Sequence, residues 1–424
     1  MEKGKKVLVV GSGGREHAVV KSLAKSPKVD KIYCAPGNAG IAQDAECVNI
    51  KVDDVEGIVN FAQRNKIDLT IVGPEASLVA GVSDAMLNCG LKVFGPTKAA
   101  AKIESSKEFA KKLMAKHNIP TASYKSFDNY EDAIDYIKKG SLPTVIKYDG
   151  LAAGKGVVVA ESLEEADKAL KDMLLESKYG NANVIIEEFL KGPEFSFMCF
   201  VSGDKVYPLE LAQDHKRAYD GDKGPNTGGM GAYSPVPFVS SEMRDKALNE
   251  IMIPAAKALK EEGTPFCGVL YGGLILTEEG PKVIEFNARF GDPETEVVLP
   301  RLESDIYDFI SYVIDGKDFI PQWSHDSVIG VVLASKGYPG SYEKGAEIKG
   351  LEKIGGEVFH MGTDQMEGKF TVAGGRVLMV TAHGEDLPEA NINVQKEIAL
   401  IECPALFHRT DIGLKGLDIK MSNN

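Results

Sequence analysis

The sequence predicts a multidomain protein of mixed α/β and α+β class, and three observations support this prediction. Its 424 residues exceed what one ordinary core accommodates and suggest two to four domains. The first hundred residues alternate short apolar runs with helical patterns, which is typical of a parallel sheet with crossover helices. From about Ala101 onward, a Lys-rich helical stretch is followed by strands separated by glycine loops, which indicates antiparallel pairing.

Composition and charge restrict the class of protein and its partners. Hydrophobic residues make up 43% of the chain and charged residues 26%, as in soluble globular proteins. No apolar run approaches the ~20 residues that cross a bilayer, and the N-terminus lacks a signal-peptide pattern, so we expect a cytoplasmic protein without a membrane partner. The net charge of −13 disfavours nucleic acid as a partner. The six scattered cysteines form no CxxC pair, so we expect them to be reduced and mostly buried.

The N-terminal strands are predicted at KVLVV, KIYCA, CVNIKV, DLTIVG and KVFG, and several of them end in glycine turns. In an open α/β sheet, such turns line the ligand crevice. The first turn has Glu16 where a dinucleotide fingerprint needs glycine, and the second strand ends in Ala35 and Pro36 without an acid, which argues against NAD. Two interpretations of the turn remain. Either the N–H groups of Gly13 and Gly14, with Arg15, bind a phosphate, or the glycines only form a tight turn.

The middle of the chain contains two segments that could contact a nucleotide. DGLAAGKG, residues 149–156, lies between two strands and departs from the P-loop spacing. It predicts a glycine hairpin that either covers phosphates, with Lys155 at its tip and Lys147 in the preceding strand, or merely exposes a lysine. VIIEEFL places Glu187 and Glu188 at a strand end, with Glu194 shortly after. These acids indicate either an exposed strand end or an edge that binds a purine and a ribose.

A long polar loop, QDHKRAYDGDKGPNTGGMGAYSP, follows at residues 213–235. Polar loops of this length inside compact domains are usually functional or disordered, and its aromatic residues and prolines favour order. It carries Asp214, His215, Lys216 and Arg217 beside a glycine-rich turn. His215 is either a catalytic group or a hydrogen-bond donor within the loop.

The stretch VIEFNARFGDPETE, residues 283–296, places Glu285, Asn287 and Arg289 at alternate positions of a predicted strand. These side chains therefore share one face, while apolar residues occupy the other. Glu285 and Asn287 offer hard oxygen ligands that suit Mg²⁺ shared with phosphates, and Arg289 offers a planar fork for a carboxylate or phosphate. A structural ion pair between Glu285 and Arg289 is the alternative, but it leaves Asn287 unexplained.

Taken together, these motifs resemble the glycinamide ribonucleotide synthetase (phosphoribosylamine–glycine ligase) family of the ATP-grasp superfamily. The resemblance covers the whole chain, from VLVVGSGGREHA through APGNAG, IVGPE, DGLAAGKGV, QDHKR, GPNTGGMGAYSP and FNARFGDPETE to GGRVLMVTA. It implies an N-terminal parallel α/β (pre-ATP-grasp) domain at 1–103, an ATP-grasp core with a mobile lid at 104–325, the lid at about 122–191, and a small C-terminal α+β domain at 326–424.

The resemblance also implies an activity, its ligands and the residues that hold them. The family joins glycine to 5-phosphoribosylamine with ATP, giving ADP, phosphate and glycinamide ribonucleotide through a glycyl phosphate. By the resemblance, ATP is bound by Lys107, Lys147, Gly154, Lys155, Glu187, Glu188, Leu190 and Glu194. Mg²⁺ or Mn²⁺ is bound by Glu285 and Asn287, and the catalytic residues are Arg289, Asp214, His215 and Lys216. Asp214 and Arg289 also match the positions that bind glycine, and the remaining substrate residues are Gly13, Gly14, Arg15, Gly37, Asn38, Pro74, Glu75, Arg217, Asn226, Thr227, Gly228 and Gly229.

The sequence differs from the family pattern at two places, and two alternative functions remain. Many ATP-grasp relatives carry another metal-binding glutamate on the strand that here reads GVLYGGLIL, which has no acid, and Tyr148 stands where the family often has alanine. One rival is another ATP-grasp ligase or carboxylase, and the second is a non-catalytic nucleotide-binding protein. We expect a monofunctional enzyme acting on small molecules as a monomer, with a weak dimer as the alternative.

Overall fold

The computed structural model describes residues 4–150, 156–176, 178, 180 and 183–417. The N-terminal elements are β1 (Lys5–Gly11), α1 (Gly14–Ala24), β2 (Val29–Pro36), β3 (Glu46–Cys47), α2 (Val55–Asn65), β4 (Leu69–Val72), α3 (Glu75–Ala80), α4 (Val82–Asn88) and β5 (Val93–Phe94). The five strands form the predicted parallel sheet in the order β3-β2-β1-β4-β5. Of the predicted strand CVNIKV, only Cys47 lies in a strand, as the last residue of the short β3. The pairing stops there because the partner strand β2 ends at Pro36, which has no N–H to extend the ladder.

The chain then forms two helices and a small antiparallel sheet with its own core. These elements are α5 (Lys102–Ser105), α6 (Lys107–Lys116), β6 (Tyr124–Phe127), α7 (Tyr130–Lys139), β7 (Thr144–Tyr148), β8 (Val157–Ala160), α8 (Leu163–Leu170) and β9 (Val184–Glu188). The strand order is β6-β9-β7-β8, and α7 and α8 contribute to a separate hydrophobic cluster with Ile146 and Ile186. We call this sheet with its two helices the lid. Strands β7 and β8 pair antiparallel on either side of the DGLAAGKG segment, which confirms the predicted hairpin.

A second antiparallel sheet faces the lid. The chain here comprises β10 (Glu194–Gly203), β11 (Lys205–Pro208), β12 (Gln213–Asp214), β13 (Arg217–Tyr219), β14 (Lys223–Asn226), β15 (Gly231–Ser234), α9 (Ser241–Ala247), α10 (Ile253–Glu261), β16 (Phe266–Thr277), β17 (Gly280–Asn287), α11 (Thr295–Val298) and α12 (Ile306–Ile314). The sheet has the order β11-β10-β16-β17, and we call it the central sheet. Its apolar side is buried by Phe195, Phe197, Phe286 and their neighbours.

The C-terminal elements are β18 (Ser327–Ser335), β19 (Glu357–His360), β20 (Thr363–Met366), β21 (Lys369–Val372), β22 (Arg376–Gly384), α13 (Leu387–Ile398) and β23 (Leu406–Phe407). Strands β12 and β15 follow β11 along the chain but belong to this C-terminal sheet, which has the order β12-β15-β18-β22-β19, while β23 pairs with β18. The predicted polar loop at 213–235 is therefore ordered, and it contains four short strands. It links the central sheet to the C-terminal domain.

Two further expectations concern the cysteines and the membrane. All six cysteines are free, but only Cys34 and Cys199 are buried and Cys89 is exposed, so the expectation that most are buried was wrong. None of the helices in the described ranges combines the length and the apolar character that a bilayer crossing requires.

Candidate active site

Strands β7 and β17 bring the lid and the central sheet together at Lys147. The Lys147 ammonium donates a hydrogen bond to the carbonyl oxygen of Ile284 at 3.0 Å, and it is 4% exposed. Lys107 begins helix α6 nearby and donates to the carbonyl oxygen of Gly150 at 3.0 Å. Burial lowers the pKa of Lys107, and Glu285 and Lys147 are among the charges that act on it. The two predicted phosphate lysines therefore lie close enough to the predicted metal ligand Glu285 for their charges to act on one another.

Glu187 forms a buried ion-pair triad with Lys111 and Lys147. Its Oε2 atom lies 3.1 Å from the Nζ atom of each lysine, and all three side chains are at most 4% exposed. Burial lowers the pKa of Lys111 to about 8. The interpretation of Glu187 as part of an exposed strand end was wrong. Its carboxylate instead anchors Lys147. Because β9 pairs with β6 on one side and with β7 on the other, the predicted open strand edge at Glu187 is not present.

Lys111 was missed by the sequence reasoning, although one signal pointed to it. It lies four residues after Lys107 on α6, so the two lysines share a face of that helix. Its ammonium also donates to the hydroxyl of Thr121 at 2.9 Å, which fixes its position.

The other predicted ATP residues lie along the chain between β9 and β10. The Glu188 side chain is exposed and accepts a hydrogen bond from the hydroxyl of Ser123 at 2.5 Å. Leu190 lies in the connection, and Glu194 begins β10 with its carboxylate 4.0 Å from the Lys216 ammonium. Gly154 and Lys155 lie outside the described residues.

Glu285 and Asn287 point to the same side of β17, which confirms the alternation read from the sequence. Burial raises the pKa of the Glu285 carboxyl, but Lys216, Lys147, Lys107 and Arg289 outweigh this effect and hold the pKa below its usual value. In the described part of the chain no cation lies within 4 Å of this carboxylate, so the alternative ion pair with Arg289 does not form. The pair of oxygen donors fits a hard cation such as Mg²⁺. No group of three or more His, Cys, Asp or Glu side chains among the described residues could hold a metal alone, so phosphate and water oxygens would have to complete the shell.

Arg289 connects the central sheet to the N-terminal domain. Its guanidinium lies 3.2 Å from the Glu104 carboxylate and 3.7 Å from that of Glu75, and it donates to the Asn287 amide oxygen at 3.2 Å. Burial alone would lower the pKa of Arg289, but the Glu104 and Glu75 carboxylates raise it by more than burial lowers it. The net pKa is above its usual value, so Arg289 stays charged. Glu104 also accepts the backbone N–H of Ala288 at 2.8 Å. Sequence reasoning missed Glu104, because it lies 185 positions before Arg289 and belongs to none of the sequence motifs.

Asp214 and Lys216 line a small cavity of about 10 Å³ against the central sheet. The cavity is bounded by Glu194, Phe195, Ser196, Tyr271, Gly273, Leu274, Ile284 and Glu285 as well. The nearby Asp214 carboxylate raises the pKa of Lys216, and the opposing burial does not cancel this effect. This brings two of the predicted catalytic residues, the predicted ribose partner Glu194 and the predicted metal ligand Glu285 into one site.

His215 lies on the other side of the same segment. It is 2% exposed, packs 5.9 Å from the Tyr233 ring, and neither ring nitrogen has a hydrogen-bond partner. Burial, with Arg409 and Lys415, lowers its pKa to about 3, so the ring is neutral. The structure therefore does not bring His215 together with Asp214 and Lys216. His215 directly follows Asp214, the last residue of β12, and adjacent side chains of an extended chain point to opposite sides.

The rest of the loop is held by the C-terminal domain. Arg376 of β22 donates to the Gly228 carbonyl at 2.9 Å and pairs with Asp292 at 2.8 Å, and Tyr338 accepts the N–H of Gly228 at 3.0 Å. Gly229 has a φ of +114°, and a Cβ atom there would lie 2.5 Å from the ring of Pro293. The other predicted loop residues lie nearby, where Thr227 donates to the Lys216 carbonyl at 2.8 Å, Arg217 donates to the Gly224 carbonyl at 2.8 Å, and Asn226 ends β14 opposite Arg217.

The predicted phosphoribosylamine turns meet at the carboxyl edge of the parallel sheet. Gly13 caps α1, but the Glu16 carboxylate already accepts its N–H at 2.7 Å, and the same carboxylate lies 2.6 Å from the Arg15 guanidinium. The Asn38 amide donates to the carbonyls of Ser12 and His360, both at 2.8 Å. The side chains of Arg15 and Asn38 thus have structural partners. Gly14, Gly37, Pro74 and Glu75 border the same edge, and Glu75 reaches Arg289.

Comparisons with known proteins agree with this architecture along the chain. Residues 5–104 match the N domain of phosphoribosylglycinamide synthetase, residues 105–295 its ATP-grasp (A) domain and residues 328–415 its C domain. A phosphoribosylamine–glycine ligase of Halalkalibacterium halodurans is 53% identical over 415 residues, covering 97% of both chains. One of Listeria innocua is 52% identical over 416 residues, covering 96% of this chain and 99% of that protein.

Solved structures give the same comparison in three dimensions. The crystal structure of a phosphoribosylamine–glycine ligase from Thermotoga maritima superposes with a TM-score of 0.86 at 33% identity, covering 96% of this chain and 100% of that one. A biotin carboxylase from Campylobacter jejuni superposes with a TM-score of 0.73 at 16% identity, covering 100% and 96%, and shares the fold alone.

Proposed function

This chain belongs to the phosphoribosylglycinamide synthetase family, and we infer from that membership that it ligates glycine to 5-phosphoribosylamine at the expense of ATP. The products are glycinamide ribonucleotide, ADP and phosphate, and the reaction is a step of de novo purine biosynthesis. The observation that carries the assignment at the level of residues is the cluster of interacting charges that joins Lys107, Lys147 and Glu285 to Arg289 and, through it, to Glu75.

ATP would lie between the lid and the central sheet. Lys147 and Lys107 supply positive charge beside Glu285, and the triad with Glu187 and Lys111 holds Lys147 in place. The backbone of Phe189 and Leu190, just after the paired residues of β9, would contact the adenine, and Glu194 the ribose. Phosphoryl transfer needs mainly positioning and neutralisation of charge, so these lysines suffice without a nucleophilic side chain.

Glu285 and Asn287 would hold a divalent cation, Mg²⁺ or Mn²⁺, together with phosphate oxygens. Such a cation neutralises charge on the transferring phosphoryl group. The protein's own contribution is to keep Glu285 ionised, which the surrounding lysines and Arg289 do, and to orient Asn287 through its contact with Arg289.

The glycine carboxylate would attack the γ-phosphate near Arg289 and Asp214, and the resulting glycyl phosphate would then meet the amine. Arg289 is suited to both substrates, because it reaches Asn287 on the metal side and Glu75 on the amine side. Holding the amine and the acyl phosphate together could supply ~7–11 kcal/mol of the barrier. The lid and the loop from Arg217 to Gly229 would exclude water, which protects the acyl phosphate from hydrolysis.

No general base is required by this arrangement. His215 is neutral, but it does not line the cavity of Asp214 and Lys216. We therefore propose Asp214, Lys216 and Arg289 as the groups that contact the reacting atoms, without His215. The domain boundaries at 103 and 325, the monomeric state and the cytoplasmic location stay predictions.

The test is phosphate release from Mg-ATP with phosphoribosylamine generated in the cuvette and glycine present, absent or replaced by alanine. Release that needs both the amine and glycine, with glycinamide ribonucleotide as product, supports the assignment. Release with glycine absent would point to another ATP-grasp reaction, and ATP binding without release would indicate a non-catalytic nucleotide-binding protein. Either of these last two results would overturn the proposal.

A further inference from the structure

A second cavity, of about 570 Å³, lies between the N-terminal domain and the C-terminal domain, separate from the cavity of Asp214 and Lys216. Helix α1 forms one wall with His17 and Lys21. The C-terminal domain forms the other walls with residues 347–353 and with parts of β19 and β21. Among the residues that the structure describes, none of those proposed to bind ATP, glycine, the divalent cation or the amine lines this cavity.

The charged groups of this cavity favour an anionic ligand. Its lysines are Lys21, Lys349, Lys353 and Lys369. Lys353 lies 3.8 Å from Glu402 and Lys369 lies 3.3 Å from Glu347, whereas Lys349 has no carboxylate within 4 Å in the described ranges. Both ion pairs are open to solvent, and exposed pairs of this kind contribute little to stability. The ammonium groups on this side of the cavity are therefore available to a doubly charged group such as a phosphate monoester.

An uncharged aromatic wall lines the same cavity. The rings of His360 and Phe370 lie with their centroids 4.7 Å apart, and Phe370 is only half-buried. Burial lowers the pKa of His360 to about 3, so its ring is neutral. Ile348, Leu351 and Val358 add apolar surface. An inorganic anion would leave this wall without contacts, whereas a flat heterocyclic ring can stack on it.

Hydrogen bonds between the two domains fix the aromatic wall in place. The backbone N–H of His360 donates to Nδ1 of His17 at 2.9 Å, so His17 carries its proton on Nε2 and donates it to Asp44 at 3.0 Å. Lys21 lies 3.2 Å from the same Asp44 oxygen. The His360 carbonyl accepts the Asn38 amide at 2.8 Å. The wall is therefore formed before any ligand arrives, which lowers the entropic cost of binding.

We propose that this cavity binds a nucleoside monophosphate, with the phosphate among Lys349, Lys353 and Lys369 and the base against Phe370. The volume lies within the range of about 300–1,000 Å³ that is typical of small-molecule sites and is far larger than an isolated phosphate needs. The site goes beyond the proposed ligase reaction, because that reaction uses none of these side chains.

The test is equilibrium dialysis of labelled AMP against the full chain, with adenosine and inorganic phosphate as unlabelled competitors. Lys349→Met and Lys369→Met each remove one exposed cation, and Phe370→Leu removes the ring. Lys396→Met is the matched control, since Lys396 is exposed on α13 and does not line the cavity. Lys147→Met reports any AMP that is held at the proposed ATP site.

We expect Lys349→Met, Lys369→Met and Phe370→Leu each to raise the Kd for AMP about tenfold, as for loss of one charge-assisted hydrogen bond or one stacked ring. The Lys396→Met and Lys147→Met proteins should retain this binding with a Kd within about twofold of wild type. Adenosine and phosphate should each compete at least about tenfold more weakly than AMP, because each fills only one part of the cavity.

An unchanged Kd in folded Lys349→Met and Lys369→Met proteins would overturn the proposal even if Phe370→Leu fails to fold. Loss of all AMP binding in Lys147→Met would assign AMP to the ATP site instead and would also overturn it. Phosphate that competes as well as AMP would show that the aromatic wall holds no base, with the same consequence. The dialysis contains neither glycine nor the amine, so these outcomes are independent of the proposed ligase activity.

Discussion

Replacing Glu187 by glutamine should destabilise the protein and weaken ATP binding together. The substitution keeps the shape of the side chain but leaves the ammonium groups of Lys111 and Lys147 buried without a counter-charge, each having been 3.1 Å from the same carboxylate oxygen. Breaking a buried pair in this way costs about 3–5 kcal/mol. For a folding unit of ~150–250 residues, this corresponds to a decrease in Tm of about 6–20 °C.

The stability of the Glu187→Gln variant should depend on pH. Burial already lowers the pKa of Lys111 to about 8, and losing Glu187 should lower it further. A lysine with a depressed folded-state pKa binds fewer protons in the native than in the unfolded protein, so stability rises with pH between the two pKa values. The variant should therefore recover part of its stability between pH 7 and pH 9, as Lys111 loses its proton.

The assay combines thermal unfolding at several pH values with the KM for ATP. Glu187→Gln should raise the ATP KM at least about tenfold, because Lys147 loses the group that positions it. A tenfold change corresponds to a loss of only about 1.4 kcal/mol of binding free energy. Lys111→Met is the matched variant, since it removes one cation but keeps the pair of Glu187 with Lys147, and its ATP KM should stay near that of wild type. Wild-type Tm and ATP KM in Glu187→Gln would refute the reasoning.

Three further predictions follow from single groups. Glu285→Ala should abolish Mg²⁺-dependent phosphate release while shifting Tm by only a few degrees, and wild-type turnover in that variant would remove Glu285 from the metal site. Arg289→Lys should raise the glycine KM, because lysine cannot reproduce the planar fork, and an unchanged glycine dependence in steady-state kinetics would contradict this role. Because His215 has a pKa of about 3 when folded, the free energy of unfolding should fall by up to about 1.4 kcal/mol per pH unit as pH drops from 6.5 toward 4. Denaturant unfolding of His215→Phe should show a shallower slope in this window, and an identical slope would show that His215 does not titrate on unfolding.

Several parts of the site were predictable because they depend on local periodicity. The alternation in β17 placed Glu285 and Asn287 on one face, and the strands around DGLAAGKG predicted a hairpin that the structure confirms. The parallel N-terminal sheet followed from the alternation of apolar runs with helical patterns. In each case the signal lies within ten to thirty residues, which is the distance over which secondary structure fixes side-chain direction.

The partners of charged groups were not predictable in this way. The sequence placed Glu187 at a strand end, but its burial depends on α6, which carries Lys111 to the same point. Glu104 and Arg289 lie 185 positions apart and meet only because α5 packs against β17. Nothing in the local pattern of either residue indicates the other.

By itself, then, the sequence determined the chemistry available to this protein: its lysines, its paired oxygen ligands, its glycine turns and the family to which those motifs point. Only the tertiary structure decided which groups share a site. It turned His215 away from Lys216, carried β12 and β15 into the C-terminal sheet, and brought His17 against His360. The physical reason is that side-chain direction repeats over a few residues, whereas contacts between distant strands and helices depend on how whole faces pack against one another.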